Sequence, residues 1–212
     1  NGALTKRVRA GEVVFRKSDP GDALYGVVRG CIHIVAESPD GKELILNKHD
    51  AGELFGEIAL LDGAGRSATA VAAEASELLY LAREKFLAFV KTRPDAMIRI
   101  IDLLCARLRR ATDLVEDSAF LDVSARLAKL VLALLGDHDA LTDTQQSPTL
   151  SIGQRDLALM LGVSREFVSR LLTLWQHAGI VELGRRRVVV LDAPALHRLV
   201  VTGHTGKSRL SR

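Results

Sequence analysis

The spacing of apolar residues divides the chain into three stretches. From Gly11 to Leu81, short runs rich in Val, Ile and Leu alternate with turn signals. Strands at this spacing, with no long helix among them, predict an antiparallel sandwich or barrel, and we expect a β jelly roll within an α+β protein. The predicted strands are Val13–Phe15, Leu24–Arg29, Cys31–Val35, Leu44–Lys48, Ala68–Ala72 and Leu78–Leu81.

Past Pro94 the period becomes that of a long helix, predicted over residues 95–117. Its apolar residues alternate in steps of four and three, which is a heptad pattern. These residues are Met97, Ile101, Leu104, Leu108, Ala111 and Val115. The helix could lie along its own domain or pair with a second copy of the chain. Because the apolar stripe is narrow and the helix is long, we expect a homodimer interface, followed by a hinge at 118–121.

The last third of the chain predicts two short helices followed by a hairpin. A tight turn at Gly162 joins the helices, and Ser164 is a natural N-cap for the second. Helix, turn, helix and basic hairpin together indicate a winged helix-turn-helix. The predicted elements are a helix over 122–135 with Asp122 as its N-cap, a loop over 137–149, helices over 154–161 and 165–177, and strands over 180–183 and 188–191.

Charge is unevenly divided between these stretches. The 212 residues include 29 Lys and Arg against 26 Asp and Glu, a net charge of +3. Residues 151–212 alone carry +6, whereas residues 1–150 carry −3. This division indicates that the C-terminal part meets a polyanion. We predict a β-roll domain over 1–93, a dimerisation helix and hinge over 94–121, and a winged-helix domain over 122–212.

Several classes of protein fit the sequence poorly. Two cysteines, Cys31 and Cys105, cannot form a disulfide framework or a four-cysteine cluster within this chain, and we expect both to be buried. No apolar run approaches the ~18 residues of a membrane span. With no secretory signal visible, we expect a soluble, cytoplasmic protein. The six histidines are scattered, and no HExxH, GxSxG or Walker motif occurs, so we do not expect an enzyme.

The second short helix of the winged helix-turn-helix carries residues suited to the major groove of DNA. Arg165 can offer two parallel donors to guanine, Glu166 can accept from cytosine N4, and Arg170 can reach a base or a phosphate. Since phosphates repel a carboxylate, Glu166 favours base reading, although it would also stabilise a helix N-terminus. The three arginines at 185–187 indicate phosphate contacts, unless they form a solvated hairpin tip.

A second candidate site lies inside the predicted roll. Gly56 permits close backbone approach, and a short helix starting there would direct free N–H groups outward, as an anion site needs. The planar donors of Arg66 and the hydroxyl of Ser67 suit a phosphate, and Glu57 can accept from a sugar hydroxyl. An Arg–Glu pair in a loop is also a common surface salt bridge, so spacing alone does not decide between these interpretations.

The run FGEIALLDGAGRSATA resembles the phosphate-binding cassette of cyclic-nucleotide-binding domains. The order of parts, with FLDV at 120–123 and SREFVSR at 164–170, resembles the Crp/Fnr family of bacterial transcription regulators, in its catabolite-activator branch. The resemblance covers about residues 10–195. It implies a homodimer that binds palindromic double-stranded DNA and contacts RNA polymerase. It also implies cAMP as allosteric effector, with cGMP as the alternative, and no metal.

The resemblance implies roles for individual residues. Glu57 would hold the ribose 2′-hydroxyl, and Arg66 and Ser67 the cyclic phosphate. The implied nucleotide-binding residues are Gly56, Glu57, Ile58, Ala59, Arg66 and Ser67, the purine-lining Ile34 and Leu46, and Arg107 and Thr112 on the long helix, Thr112 acting from the partner subunit. The implied DNA-binding residues are Gln154, Arg155, Ser164, Arg165, Glu166, Ser169, Arg170, Arg185, Arg186 and Arg187.

Three positions shape what the resemblance implies. Arg165 favours half-sites like TGTGA over TTGAT. Ala111 stands where the closest relatives carry a hydroxyl residue facing the base, which keeps cGMP open as effector. Ser169 is shared more with the oxygen-sensing branch, so the operator stays open in detail. The alternative function is a regulator of the same fold that needs no effector, or that senses redox state or a gas through haem or a missing N-terminal cluster.

Overall fold

The computed structural model describes residues 3–136 and 148–204. The predicted loop over 137–149 lies outside the described residues, except for its last two positions. The chain divides into two compact units, residues 1–105 and 106–212, and each is described by itself.

The first unit is an antiparallel β-roll, as predicted. Its two four-stranded sheets have the orders β1-β8-β3-β6 and β2-β7-β4-β5. The strands are β1 (Leu4–Val8), β2 (Val13–Phe15), β3 (Ala23–Arg29), β4 (Ile32–Glu37), β5 (Glu43–His49), β6 (Leu54–Phe55), β7 (Thr69–Ala72) and β8 (Ser76–Ala82), with helices α1 (Glu57–Asp62) and α2 (Arg83–Thr92).

Six of these strands match the predicted runs, and three elements were not foreseen. Strand β1 is an edge strand that pairs only with β8 among the described strands, and its centre is polar, Thr5-Lys6-Arg7. Strand β6 has only two residues, too few for a pattern. Helix α2 was not predicted, although it buries Phe86 and Val90.

Two apolar clusters hold the first unit together. One lies between the sheets and includes Ile32, Phe55 and Leu78, each from a different strand. The other joins α1 and α2 to the beginning of the following helix through Leu60, Phe86 and Ile100. Most of the buried side chains are aliphatic, as the low aromatic content leads one to expect.

Helix α3 runs over Pro94–Phe120, a length of 27 residues or about 40 Å. The predicted end of this helix at residue 117 is wrong, because the helix continues through Phe120. The apolar pattern stops at Ser118, but serine and alanine are compatible with a helix and do not end it. The turn to the next helix occurs at Leu121 and Asp122, where the Asp122 carboxylate accepts from the Ala125 amide at 2.8 Å, as an N-cap does.

The apolar residues of α3 divide between two environments. Met97 and Leu104 pack against the second cluster of the first unit. Ile101, Leu108 and Val115 are 51%, 70% and 69% exposed. The exposed positions recur in steps of three and four along one side of the helix. We call this the exposed stripe, made of Ile98, Ile101, Cys105, Leu108, Thr112 and Val115.

The two cysteines differ. Cys31 is buried, as predicted. Burial raises the pKa of its thiol to about 12; the positive charge of Lys48 opposes this rise and the negative charge of Asp50 adds to it. The prediction for Cys105 is wrong, because its side chain is exposed. A small apolar residue on a heptad-like helix looks the same in sequence on either face, and Cys105 lies on the exposed stripe.

The second unit is a helix-turn-helix with a three-stranded wing of order β10-β11-β9. Its core includes Leu127, Leu157, Val168 and Leu172, all fully buried. Strand β9 and helix α7 were not predicted. The elements are α4 (Val123–Gly136), β9 (Thr149–Leu150), α5 (Gln154–Leu161), α6 (Arg165–His177), β10 (Val181–Gly184), β11 (Arg187–Val190) and α7 (Ala193–Thr202).

The end of α7 is fixed against the start of α4. The backbone amide of Asp122 donates to the carbonyl of Gly203 at 2.9 Å. A Cβ added at Gly203 would overlap the Cβ of Ala125. This position therefore needs glycine because of a close approach between two helices.

Membrane-spanning helices and clusters of metal ligands are both absent from the described residues. Among the described residues no helix combines the length and apolar character needed to cross a lipid bilayer. Nor do residues 3–136 and 148–204 contain a group of three or more His, Cys, Asp or Glu side chains placed to hold a metal ion.

We predict that Gly203→Ala destabilises the second unit by roughly 1–3 kcal/mol, because the added methyl group forces α7 away from α4. The measurement is urea unfolding followed by the fluorescence of Trp175, the single tryptophan, which is buried in this unit. Gly136→Ala is the control, since nothing lies within 4 Å of its added Cβ. Equal midpoints for both variants would contradict the packing described here.

Candidate functional site

The predicted anion site includes the turn from β6 into α1. Gly56 has φ +79° and forms the N-cap of α1. The left-handed backbone at Gly56 reverses the chain between the buried Phe55 and the buried Glu57. Of the other two predicted residues in this run, Ala59 is buried and Ile58 is exposed.

Arg66 reaches across the roll to this turn, and its side chain is only 2% exposed. Nη1 donates to the carbonyl of Gly56 at 2.8 Å, and Nη2 donates to the carbonyl of Ala23 at 2.8 Å. The carboxylate of Asp22, itself largely exposed, lies 3.3 Å from Nη2. The guanidinium thus joins three segments that are distant in sequence.

Aromatic rings line the other side of this guanidinium. Its central carbon lies 4.3 Å from the ring centroid of Phe15 and 5.5 Å from that of Tyr25. Tyr25 in turn stacks on Phe55 at 5.3 Å. Burial raises the pKa of Tyr25, while the positive charge of Arg66 acts against that rise. Cation–π contacts of this kind stabilise a desolvated guanidinium.

One donor of Arg66 remains uncommitted. Its Nε is buried and makes no hydrogen bond within the described residues. A buried donor without an acceptor costs about 1–3 kcal/mol. The next residue, Ser67, is exposed and carries a hydroxyl. The pair therefore fits a small anion that brings acceptor oxygens to this turn.

The two residues predicted to line the purine lie on neighbouring strands in different environments. Ile34 on β4 pairs with Asn47 of β5 and packs against the cluster between the sheets. Leu46 lies at the register shift between these strands and is exposed. The sequence prediction treated the two alike, although a bulge changes how consecutive side chains are presented.

The two nucleotide-binding residues predicted on α3 lie in the second unit. Thr112 belongs to the exposed stripe, and its hydroxyl donates to the carbonyl of Leu108 at 3.0 Å. Arg107 is half-buried, and Ala111 is exposed.

Several of the residues predicted to bind DNA lie on helix α6 or at its N-cap. Ser164 caps the helix by accepting from the Phe167 amide at 3.2 Å. Arg165, Glu166 and Arg170 are exposed, and Ser169 is half-buried. The opposite face buries Val168, Leu172 and Trp175 in the core. Apolar packing thus fixes the helix and leaves its polar face free.

The remaining predicted DNA-binding residues lie at the start of α5 and in the wing. Gln154 is half-buried and Arg155 is exposed. The wing turn is two residues long, Arg185 and Arg186, with Arg186 at φ 52°.

Two of the wing arginines have acidic neighbours. Arg186 lies 3.5 Å from Asp156, and Arg187 lies 3.7 Å from Glu182. Exposed ion pairs such as these contribute little to stability, so the arginines can exchange them for phosphates.

The sequence analysis missed the partners of Arg66. Phe15, Asp22, Ala23 and Tyr25 were not proposed as parts of the site. They lie about 40–50 residues away along the chain, and the contact to Ala23 uses only its backbone carbonyl. The turn signal around Asp22 was visible, but no local pattern connects it to Arg66.

A β-roll with a buried guanidinium beside a left-handed glycine, followed by a helix-turn-helix and a basic wing, is typical of a DNA-binding regulator. Two family models match the chain, the cyclic nucleotide-binding domain over residues 5–93 and the Crp-like helix-turn-helix domain over residues 125–199. The chain belongs to the Crp/Fnr family of transcription regulators.

Its relatives and structural neighbours include several such regulators. The chain is 36% identical over 189 residues to the "Cyclic AMP receptor protein" of Thermus thermophilus, covering 89% of this chain and 84% of that protein. It is 29% identical to the "CRP-like cAMP-activated global transcriptional regulator" of Mycobacterium tuberculosis, covering 92% and 90%. The structure of the "c-di-GMP Responsive Global Regulator CLP" of Xanthomonas campestris is similar with a TM-score of 0.79 and 28% identity, covering 90% and 94%.

We predict that Gly56→Ala destabilises the first unit. The strain of an L-residue in the left-handed backbone costs roughly 1–2 kcal/mol. The loss of stability should exceed this value, because the added Cβ would also lie 2.7 Å from Arg66 Nη1. The matched control is Gly11→Ala, which has the same φ of +79° but nothing within 4 Å. Thermal unfolding followed by circular dichroism measures both. If the two variants lose the same stability, Arg66 is not held against this glycine.

Proposed function

We propose that this Crp-family regulator is a cytoplasmic homodimer whose binding to DNA is controlled by cAMP. The dimer recognises a palindrome of TGTGA-like half-sites and contacts RNA polymerase. The protein has no catalytic activity of its own in this proposal.

The observation that carries the effector assignment is the buried Arg66 with its uncommitted Nε. Gly56 keeps the backbone close to the guanidinium, and Ser67 adds an accessible hydroxyl beside it. Charge-assisted hydrogen bonds from such a guanidinium are well matched to a phosphate. Glu57 stands at the start of α1, where the family model places the nucleotide-binding domain, and would accept from the ribose.

The choice of cAMP is supported by the names of the relatives at 36% and 29% identity. Ala111 supports cGMP as the alternative, because it brings no hydroxyl to the base. A cyclic nucleotide in this pocket would place its negatively charged cyclic phosphate against Arg66 and Ser67.

The exposed stripe of α3 supports the dimer. Three large aliphatic side chains at seven-residue intervals, Ile101, Leu108 and Val115, are more than half exposed. A parallel pair of such helices would bury them in a coiled-coil interface. Thr112 lies on the same stripe and would point toward the partner subunit, as the resemblance implies.

Control of DNA binding requires that the effector binds two arrangements of the protein with different affinity. An effector that bound both equally would change nothing. In the favoured arrangement the two copies of α6 are spaced by about one turn of DNA, so that both enter the major groove.

A second candidate function is DNA binding without an effector. It is favoured by the contacts that Arg66 already makes to Gly56, Ala23 and Asp22. These contacts compensate most of the desolvation of the guanidinium within the protein itself.

The experiment that separates these functions is fluorescence anisotropy with a labelled TGTGA palindrome at a stated salt concentration. We compare the protein alone with the protein plus cAMP, cGMP or cyclic di-GMP. A gain in affinity with cAMP supports the main proposal, whereas equal binding without any nucleotide supports the second candidate.

We predict that Arg66→Leu weakens nucleotide binding by about 1.5–3 kcal/mol, the usual worth of hydrogen bonds to charged groups. Isothermal titration calorimetry with cAMP measures the loss. Because Arg66 is buried, Ser67→Ala serves as a second variant that leaves the packing unchanged, and it should weaken binding by about 1 kcal/mol. Unchanged affinity in both variants would refute the pocket.

We predict that Arg165→Ala costs about 1–3 kcal/mol of DNA binding and relaxes discrimination at one base pair, because it removes a bidentate contact to guanine. Arg185→Ala in the wing should instead weaken binding to all sequences evenly and lower the salt slope by about 1. Anisotropy against single-base variants of the operator at several salt concentrations measures both effects. The same uniform loss in both variants would show that Arg165 contacts only phosphate.

A further inference from the structure

Phe167 is an aromatic side chain in the first turn of α6 that is left partly exposed. It lies in the first turn, directly after Glu166, and is 37% exposed. The core of the second unit is filled from the opposite face by Val168 and Leu172. The uncovered part of the Phe167 ring is therefore accessible from solvent.

The N-cap fixes the backbone of Phe167, and Arg170 lies beside its ring. Its backbone amide donates to the Ser164 hydroxyl at 3.2 Å, so this amide is not available to a phosphate. The guanidinium carbon of Arg170 lies 5.5 Å from the ring centroid, within the range of a cation–π contact. The ring and the guanidinium thus form one surface beside the base-reading residues.

We infer that Phe167 reads thymine through the 5-methyl group of the base. The inference rests on the proposed function, in which α6 enters the major groove. An apolar ring that has no hydrogen-bonding group can discriminate between bases there only by apolar contact, and the thymine methyl group is the apolar feature of the groove. Arg170, stacked on the same ring, sets its orientation and contacts the neighbouring base pair or phosphate.

The test begins with a duplex selected by the full chain plus cAMP from a library with randomised half-sites. Each thymine of the selected duplex is then replaced by deoxyuridine, which removes only the methyl group. For the unaltered protein, we expect one thymine per half-site at which the replacement weakens binding about fourfold, or about 15-fold when both half-sites are changed. Anisotropy at constant salt measures the affinities.

Three variants show whether Phe167 causes this effect. Phe167→Ala should bind the thymine and deoxyuridine duplexes equally. Phe167→Leu should keep part of the difference, since leucine is also apolar. Leu174→Ala, an exposed apolar residue two turns further along α6, should keep all of it. Circular dichroism melting curves confirm that each variant is folded.

The outcomes separate this inference from the proposed function. Failure to select any duplex overturns the proposed function and this inference with it. A selected duplex whose deoxyuridine scan is flat, or is unchanged in Phe167→Ala, overturns this inference alone and leaves the DNA-binding function intact.

Discussion

A positive charge buried in an apolar roll is stable only if hydrogen-bond acceptors or aromatic ring faces surround it. Arg66 is such a buried charge in the first unit. Its guanidinium is held by the carbonyls of Gly56 and Ala23 and by the ring of Phe15. Because these groups belong to three separate segments, one side chain joins the β6–α1 turn to β2 and β3. Its buried Nε makes no hydrogen bond among the described residues. This unused donor is the property that makes the site suited to a ligand with acceptor oxygens.

Elements with a strong local pattern were predictable. Six strands of the roll are short runs rich in Val, Ile and Leu between turn residues, and Ser164 is a clear N-cap for α6, so these elements followed from the sequence. Strand β1 could not be recognised because an edge strand tolerates polar residues. Helix α7 was missed for a different reason. It is stabilised by contacts with α4, including the close approach at Gly203, and tertiary packing rather than propensity decides most helices of this length.

The candidate site shows the same division between local and distant information. The glycine, the arginine and the serine of the cassette, and Ser164 before α6, are recognisable from residue type and spacing alone. The aromatic platform under Arg66 is not, because Phe15 and Tyr25 lie some 40–50 residues away from it in sequence. The sequence analysis expected Cys105 to be buried, whereas its side chain is exposed on α3. Which face of an amphipathic helix is covered depends on what packs against it.

Helix α3 gives the proposed switch a physical basis. Met97, Ile100 and Leu104 at its beginning are packed into an apolar cluster of the first unit, whereas Leu108 and Val115 further along are exposed. Thr112 lies on the same stripe, so the nucleotide contact and the dimer contact that we propose use one side of this helix. In a dimer built on that stripe, an effector that favoured one packing of the two helices would shift the population toward it.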